Sequence, residues 1–307
     1  MKSMKDFLLF SGSSNQALAQ AVAKKLGVSL GKVDLTRFAD GEIRPWIQDD
    51  VRDKLVFVLE SLSYPMDEHI MELALMGDAI RRSAPKRLIA VIPYMGYARQ
   101  DKQHRVGEPV SARLIAEFLG VSKYKEVMAI DLHNDAIVGF FRIPVTHLSA
   151  LELIAEEMKK QDLGNAIVIS PDVGGVKRAR NLAYILDLPM VVMEKKRFLD
   201  RHDTSESFQI IGDVGGKTCI IIDDIISTGG TIANSAASLK EAGATRVIVA
   251  ATHAVLSGDA AAILTQAPID GLLVTDTIAM PQSKHIPRLE IVSVAPILAD
   301  AISTLVR

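Results

Sequence analysis

Short apolar runs separated by amphipathic stretches recur from one end of the chain to the other. Phe7–Ser11, Leu55–Glu60, Arg87–Pro93, Lys125–Asp131, Ala166–Ser170 and Thr218–Asp223 are rich in aliphatic and β-branched residues. That is the pattern of strands buried on both faces of a parallel sheet. Between them, Asn15–Leu26, Asp67–Arg82, Val110–Leu119, Ala150–Lys160, Gly174–Leu186 and Gly230–Ala242 carry apolar residues at helical spacing. Strands over Lys32–Phe38, Glu42–Ile47, Met190–Glu194, Phe208–Ile211, Arg246–Thr252, Gly271–Asp276 and Leu289–Val294, then a closing helix over Pro296–Leu305, complete the predicted order. Strands alternating with helices predict an α/β protein with mainly parallel sheets flanked by helices. The pattern restarts after Pro144, which predicts two domains, 1–150 and 151–307, with the last helix a candidate to pack on the first.

A faint repeat supports two related halves. Lys125–His133 and Thr245–His253 share a basic residue, an apolar strand and a terminal His, and Arg87–Arg99 precedes the first as Thr218–Gly230 precedes the second. Composition narrows the class further. A chain of 307 residues with 49% hydrophobic content is long enough for two cores. One cysteine excludes a disulfide framework and fits a reducing cytoplasm; Cys219, inside an apolar run, reads as a small hydrophobe. No apolar run approaches the roughly 18 residues of a membrane span, so no membrane partner is expected. A net charge of −2 gives no general attraction to nucleic acid. The cations cluster locally instead, around Arg99–Arg105 and Lys195–Arg201.

The most informative segment is Cys219–Ile232. An isoleucine-rich strand ends in Asp223 and Asp224, followed by Ser227, Thr228, Gly229, Gly230 and Thr231 and then a helix. Open α/β sheets bind ligands at the carboxyl ends of their strands. The two glycines let successive backbone N–H groups converge on an anion at the helix N-terminus, and the hydroxyls add donors. The acid pair would repel a bare polyphosphate but suits vicinal sugar hydroxyls or hydrated Mg²⁺. A ribose 5-phosphate moiety satisfies both halves. This segment resembles the phosphoribosyl-diphosphate-binding motif of type I phosphoribosyltransferase-fold proteins. Gly212–Thr218 imitates a Walker A loop, but Ile211 stands where its first Gly is required and the segment precedes its strand. It reads as a turn between strands.

Four further segments carry chemistry, each with a bland alternative. Tyr94–Lys102 offers Arg99 and Lys102 to phosphates, or is a solvated loop. Asp131-Leu-His133 ends a strand; His133 is a core histidine or a metal–nucleotide group. Ser170–Gly175 places Asp172 to hold Mg²⁺ or to cap a helix. Glu194–Arg197 leads into a polar stretch and is a lid over a polyphosphate or a basic loop. Besides these, Arg37–Glu42 presents Phe38 with Asp40 and Glu42, a purine site or a core aromatic.

In this order, the strings FADGEIR, MELALMGDAIRRSAPKRLIAVIPYMGYARQD, IDLHNDAIVGFFRIPVTHL, SPDVGG, EKKR and GKTCIIIDDIISTGGTI resemble the ribose-phosphate diphosphokinase (phosphoribosyl diphosphate synthetase) family over nearly the whole chain. The resemblance implies two phosphoribosyltransferase-like domains and transfer of the β,γ-diphosphoryl group of ATP to ribose 5-phosphate, releasing AMP, with Mg²⁺ as cofactor. It implies that Phe38, Asp40 and Glu42 approach adenine from a neighbouring subunit. Arg99 and Gln100, with Asp101 in the same loop, would hold the nucleotide from their own subunit. His133 and Asp172 would serve the Mg²⁺–ATP complex, and Lys195 and Arg197 would be catalytic cations. Asp223, Asp224 and Ser227–Thr231 would bind ribose 5-phosphate. A shared adenine site implies self-association, with a dimer as minimum and a hexamer expected from the family. No general base is evident from the residues themselves: Asp224 is one candidate, and positioning of the substrates without a base is the alternative.

Three departures bear on these expectations. Ser227 stands where Asp is usual, as in shorter archaeal-type relatives, and His104 with Val106-Gly107 alters the nucleotide loop. The sequence ends at Arg307, short of the extension that helps build the ADP and phosphate site of the allosteric class, so weak or absent regulation of that type is expected. Two competing readings use the same acid-pair loop. A phosphoribosyltransferase that consumes phosphoribosyl diphosphate would leave the first domain without a task. A non-catalytic regulatory subunit would not require Lys195, Arg197, His133 or Asp172.

Overall fold

A computed structural model of the chain describes residues 7–196, 207–281 and 286–307. The chain divides into two compact units: Met1–Ser149 with Thr277–Ala279 and Ser293–Arg307, and Ala150–Asp276 with Met280–Val292.

The first unit runs β1 (Phe7–Ser11), α1 (Gln16–Leu26), β2 (Val33–Arg37), β3 (Ile43–Ile47), β4 (Leu55–Leu59), α2 (Met66–Arg82), β5 (Arg87–Ile92), α3 (Ser111–Val121), β6 (Glu126–Ile130) and β7 (Val145–Leu148). Five strands form one parallel sheet in the order β1-β4-β5-β6-β7. Both faces are covered, so Leu9, Phe57, Val58, Ile89, Ala90, Val127 and Met128 are all buried and the strands read as continuous apolar runs. β2 and β3 stand apart as an antiparallel hairpin in register Val33↔Ile47 to Arg37↔Ile43, packed on α2.

The second unit runs α4 (Leu151–Met158), β8 (Ala166–Ser170), α5 (Val176–Leu186), β9 (Met190–Lys196), β10 (Ser207–Ile211), β11 (Thr218–Ile226), α6 (Gly230–Glu241), β12 (Arg246–Ala254), α7 (Ala260–Gln266), β13 (Gly271–Thr275) and β14 (Leu289–Val292). Its seven strands are ordered β10-β9-β8-β11-β12-β13-β14, parallel except for the β9–β10 pair. The closing helix, α8 (Ala295–Val306), lies in the first unit against α1. The repeat read from the sequence occupies matching places: β5 and β6 are neighbours in one sheet, as β11 and β12 are in the other.

Three elements were not expected from the pattern: β7, α7 and a 3₁₀ turn over Asp135–Phe140. Each is seven residues or shorter, too brief for periodicity to show. β11 also runs three residues past its predicted end. It pairs with β8 only over Thr218–Ile221 but with β12 as far as Ile226. Past Ile221 one edge of β11 is therefore released from β8, and the acid pair lies in that released stretch.

Candidate active site

The described chemistry gathers at the carboxyl ends of the strands in both units. In the second unit Asp223 and Asp224 alternate along β11, and Asp224 N donates to Asp223 Oδ1 at 2.8 Å. Asp224 is nearly closed off, with 6% of its side chain exposed, while Asp223 keeps 23%. Arg178, in the first turn of α5, reaches both: its Nη1 lies 3.2 Å from Asp224 Oδ1 and 3.6 Å from Asp223 Oδ1. Burial, then the hydrogen bond and negative charge of Asp224, push the Asp223 carboxyl up to about 8, and Arg178 opposes the rise.

The turn that follows packs its backbone closely against α7. Gly229 takes φ of +80° before the first residue of α6. A Cβ there would meet Leu264 Cγ at 3.2 Å and the Ala260 carbonyl oxygen at 3.4 Å, so both conformation and packing call for glycine. Thr228 and Thr231 are exposed beside it. Ser227 Oγ pairs with Ser257 Oγ at 3.1 Å, and Ser257 N donates to the Ser227 carbonyl at 3.0 Å. A cradle of donors at a helix N-terminus, flanked by carboxylates on the preceding strand, suits an anion joined to a polyol.

Asp172 lies in the turn between β8 and α5. Its Oδ1 accepts from Gly175 N at 2.8 Å, and Ser170 Oγ donates to its carbonyl at 2.7 Å. The helix itself begins only at Val176, so Asp172 ties the turn rather than capping the helix. Lys195 is in β9, in register with Phe208 of β10; its side chain, and Arg197 entirely, lie outside the described residues.

In the first unit the loops after β5 and β6 are joined. Asn134 Nδ2 donates to Asp101 Oδ2 at 2.8 Å, which links the Arg99–Asp101 segment to the residue next to His133. Ser111 Oγ donates to Gln100 Oε1 at 2.6 Å, and Ala112 N to the Gln100 carbonyl at 3.1 Å. Leu132 N donates to His147 Nε2 at 3.0 Å, while Ser149 Oγ donates to Asp131 Oδ1 at 2.7 Å. Tyr97 and Asp131, in the loops that follow β5 and β6, both hold positive φ, +62° and +38°, conformations that cost energy in a residue with a side chain. Arg99, Gln100 and His133 are located on these loops, with Gln100 and His133 exposed. Phe38, Asp40 and Glu42 sit instead on the β2–β3 hairpin. Phe38 is 53% exposed rather than core, with Arg44 5.8 Å from its ring centroid, and Glu42 N donates to Asp40 Oδ1 at 3.2 Å. Arg37 pairs with Glu68 of α2.

Known proteins match this arrangement along its length. A family model described as the N-terminal domain of ribose phosphate pyrophosphokinase matches residues 7–122, and one described as the phosphoribosyl synthetase-associated domain matches 201–307. Ribose-phosphate pyrophosphokinase 1 of Streptococcus mutans is 44% identical over 296 residues, 96% of this chain and 92% of that one. The chain belongs to the ribose-phosphate pyrophosphokinase family. The Streptococcus pneumoniae protein of the same name is 43% identical over 98% of this chain and 94% of its own. Phosphoribosylpyrophosphate synthetase from Mycobacterium smegmatis superposes with a TM-score of 0.93 at 39% identity, covering 98% of this chain and 99% of that one. The two α/β units are thus the two phosphoribosyltransferase-like domains of a ribose-phosphate pyrophosphokinase.

Sequence reasoning missed three participants in these sites. Arg178 sits inside a helical pattern and belongs to no motif, although a cation in a helix's first turn runs against the macrodipole and could have been flagged. Ser257 and Asn134 lie in loops, where contact partners are set by the fold. The expectation that Asp224 is a general base also meets an obstacle: its carboxylate is closed off and paired with Arg178, and Asp223 is the more open of the two.

Proposed function

We propose that this ribose-phosphate pyrophosphokinase joins ATP and ribose 5-phosphate at the residues described above. The observation that carries the reading is the acid pair on the released edge of β11, next to the Gly229 turn. There the backbone amides and hydroxyls of Ser227–Thr231 would hold the 5-phosphate, and Asp223, with Asp224 behind it, would accept hydrogen bonds from the ring hydroxyls. The anomeric hydroxyl oxygen then attacks the β-phosphorus of ATP, and its proton passes to solvent as the bond forms. One P–O bond forms there, the bond from the β-phosphorus to the oxygen bridging to the α-phosphate breaks, and AMP leaves with that oxygen. Little covalent chemistry is asked of the protein, so catalysis rests on positioning and on neutralising phosphoryl charge.

Arg99, Gln100 and Asp101 would hold the nucleotide from the loop after β5, and Phe38, Asp40 and Glu42 would meet adenine from a neighbouring subunit. Lys195 and Arg197 would neutralise the transferring group. Among the described residues no three His, Cys, Asp or Glu side chains cluster for a metal. That fits Mg²⁺, which is commonly held by one or two carboxylates and substrate phosphates. The exposed carboxylate of Asp172 suits it; the imidazole of His133 suits a phosphate or a coordinated water better than the cation itself. Bound there, Mg²⁺ would spread the charge of the phosphate oxygens. No helix among the described residues is long and apolar enough to cross a membrane, and we infer cytoplasmic work, in an assembly of at least two subunits.

The test is an assay of the purified chain with ATP, Mg²⁺ and ribose 5-phosphate. AMP and 5-phosphoribosyl 1-diphosphate are expected in equal amounts, and AMP formation should require the pentose. A chain that forms no AMP under these conditions overturns the proposal.

A further inference from the structure

Asp224 poses a problem that the sugar does not solve. Its carboxylate is almost fully enclosed, and Asp223, itself three-quarters covered, is bound to its backbone amide. Two neighbouring carboxylates withdrawn from water are costly unless a cation is built into the wall with them. Arg178 supplies that cation, with only 19% of its side chain exposed. It is the third residue of α5, next to Lys177 in the same first turn, where the helix macrodipole disfavours positive charge. Local preference is broken at Arg178, and the acid pair is the compensation found there.

The contacts are unequal. Arg178 Nη1 is at hydrogen-bond distance from Asp224 Oδ1, 3.2 Å, but 3.6 Å from Asp223 Oδ1. The guanidinium therefore fixes Asp224 while leaving Asp223 the more exposed carboxylate. α5 starts directly after the Asp172 turn, so the helix carrying Arg178 is anchored by the Ser170 and Gly175 hydrogen bonds at Asp172.

We propose that Arg178 is a positioning residue for the sugar-phosphate site: it pins Asp224 in the wall and thereby orients Asp223 toward the ring hydroxyls of ribose 5-phosphate. This rests on reading the acid pair as the pentose site. Arg178 does not touch the reacting atoms; it acts through the two aspartates.

The test measures ribose 5-phosphate binding to the full-length chain by calorimetry, with ATP binding measured in parallel. Arg178→Met should weaken ribose 5-phosphate binding by about tenfold or more, with ATP binding within about twofold of the parent chain, since the loss is that of one charged hydrogen-bonding partner. Arg178→Lys should recover part of the loss. The double variant Arg178→Met/Asp224→Asn, which removes the buried charge along with Arg178, should bind more tightly than Arg178→Met alone. Unchanged pentose binding in Arg178→Met overturns the proposal. So does an equal loss of ATP binding that neither Arg178→Lys nor the double variant relieves, because that marks a packing residue. If the parent chain binds ATP but no ribose 5-phosphate, the pentose-site reading itself fails and Arg178 loses its assigned role with it.

Discussion

Glu60 and Glu72 reach the same turn from two different elements. Glu60 Oε1 accepts the Ser14 amide at 3.2 Å, and Glu72 Oε1 accepts the Ser13 amide at 2.6 Å. Both side chains are buried, and Glu60 Oε2 lies under Gly12 with no hydrogen-bond partner among the described residues. A Cβ on Gly12 would fall 1.3 Å from that oxygen and 2.9 Å from Glu72 Oε1, which is why the turn carries glycine. Burial first, and then the charge of Glu72, hold the Glu60 carboxyl well above the usual range.

From this pair we expect Glu60→Gln to stabilise the protein. A raised carboxyl stays protonated in the fold at pH values where the unfolded chain has released its proton. Stability therefore falls as pH rises above the unfolded value of about 4.3 and goes on falling up to the folded pKa. Glutamine has the same shape and does not ionise. The variant should gain about 1–3 kcal/mol at neutral pH, a few degrees in Tm, and the gain should shrink as pH is lowered toward about 4. Calorimetric scans across pH check this; a variant less stable than the parent at neutral pH would show that Glu60 is ionised in the fold.

Gly229→Ala should damage the sugar-phosphate turn. The residue combines φ of +80° with close packing, since a Cβ added there would lie 3.2 Å from Leu264 Cγ. Conformational strain of about 1–2 kcal/mol is expected, together with a displaced turn. A several-fold or greater rise in KM for ribose 5-phosphate should follow, with KM for ATP little changed. Equal KM values for both substrates in variant and parent would remove the turn from the pentose site.

Much of this site is legible in the residue order, and the reasons are physical. Asp223–Thr231 is contiguous, so its strand, acids, turn and helix can be read in line. Arg99–Asp101 and His133 announce themselves at the ends of apolar runs. What escapes is whatever the fold brings together from afar. Arg178 and Asp224 are 46 residues apart, Ser227 and Ser257 are 30 apart, and Asn134 and Asp101 are 33 apart; no local period records such pairs. The released edge of β11 escapes as well, because it depends on where β8 stops pairing and not on β11's own residues.

Ribose 5-phosphate binding should strengthen as pH rises toward about 8, the value to which the Asp223 carboxyl is pushed, and level off above it. Asp223 must be ionised to accept from sugar hydroxyls, yet burial and Asp224 favour its protonated form. Binding then expels a proton below that range, and none above it. Titration calorimetry in buffers of differing ionisation enthalpy counts the protons. Asp223→Asn should flatten the pH dependence and weaken binding at every pH. A pH-independent affinity in the parent chain would mean that Asp223 is ionised without the sugar.

Lys195→Ala isolates the chemistry from the binding. Lys195 is near the end of β9, in register with Phe208, and the transferring group needs cations only as its charge redistributes. Interactions made mainly in the transition state lower kcat without raising KM to match. By comparison with other cationic groups at phosphoryl transfer, kcat should fall on the order of 10³-fold or more. Ribose 5-phosphate binding should stay within a few-fold, because the proposed pentose site lies on β11 and its turn. Single-turnover AMP formation separates the two effects. A variant that keeps its turnover would exclude Lys195 from the transfer step, and one that loses pentose binding instead would place it at the sugar.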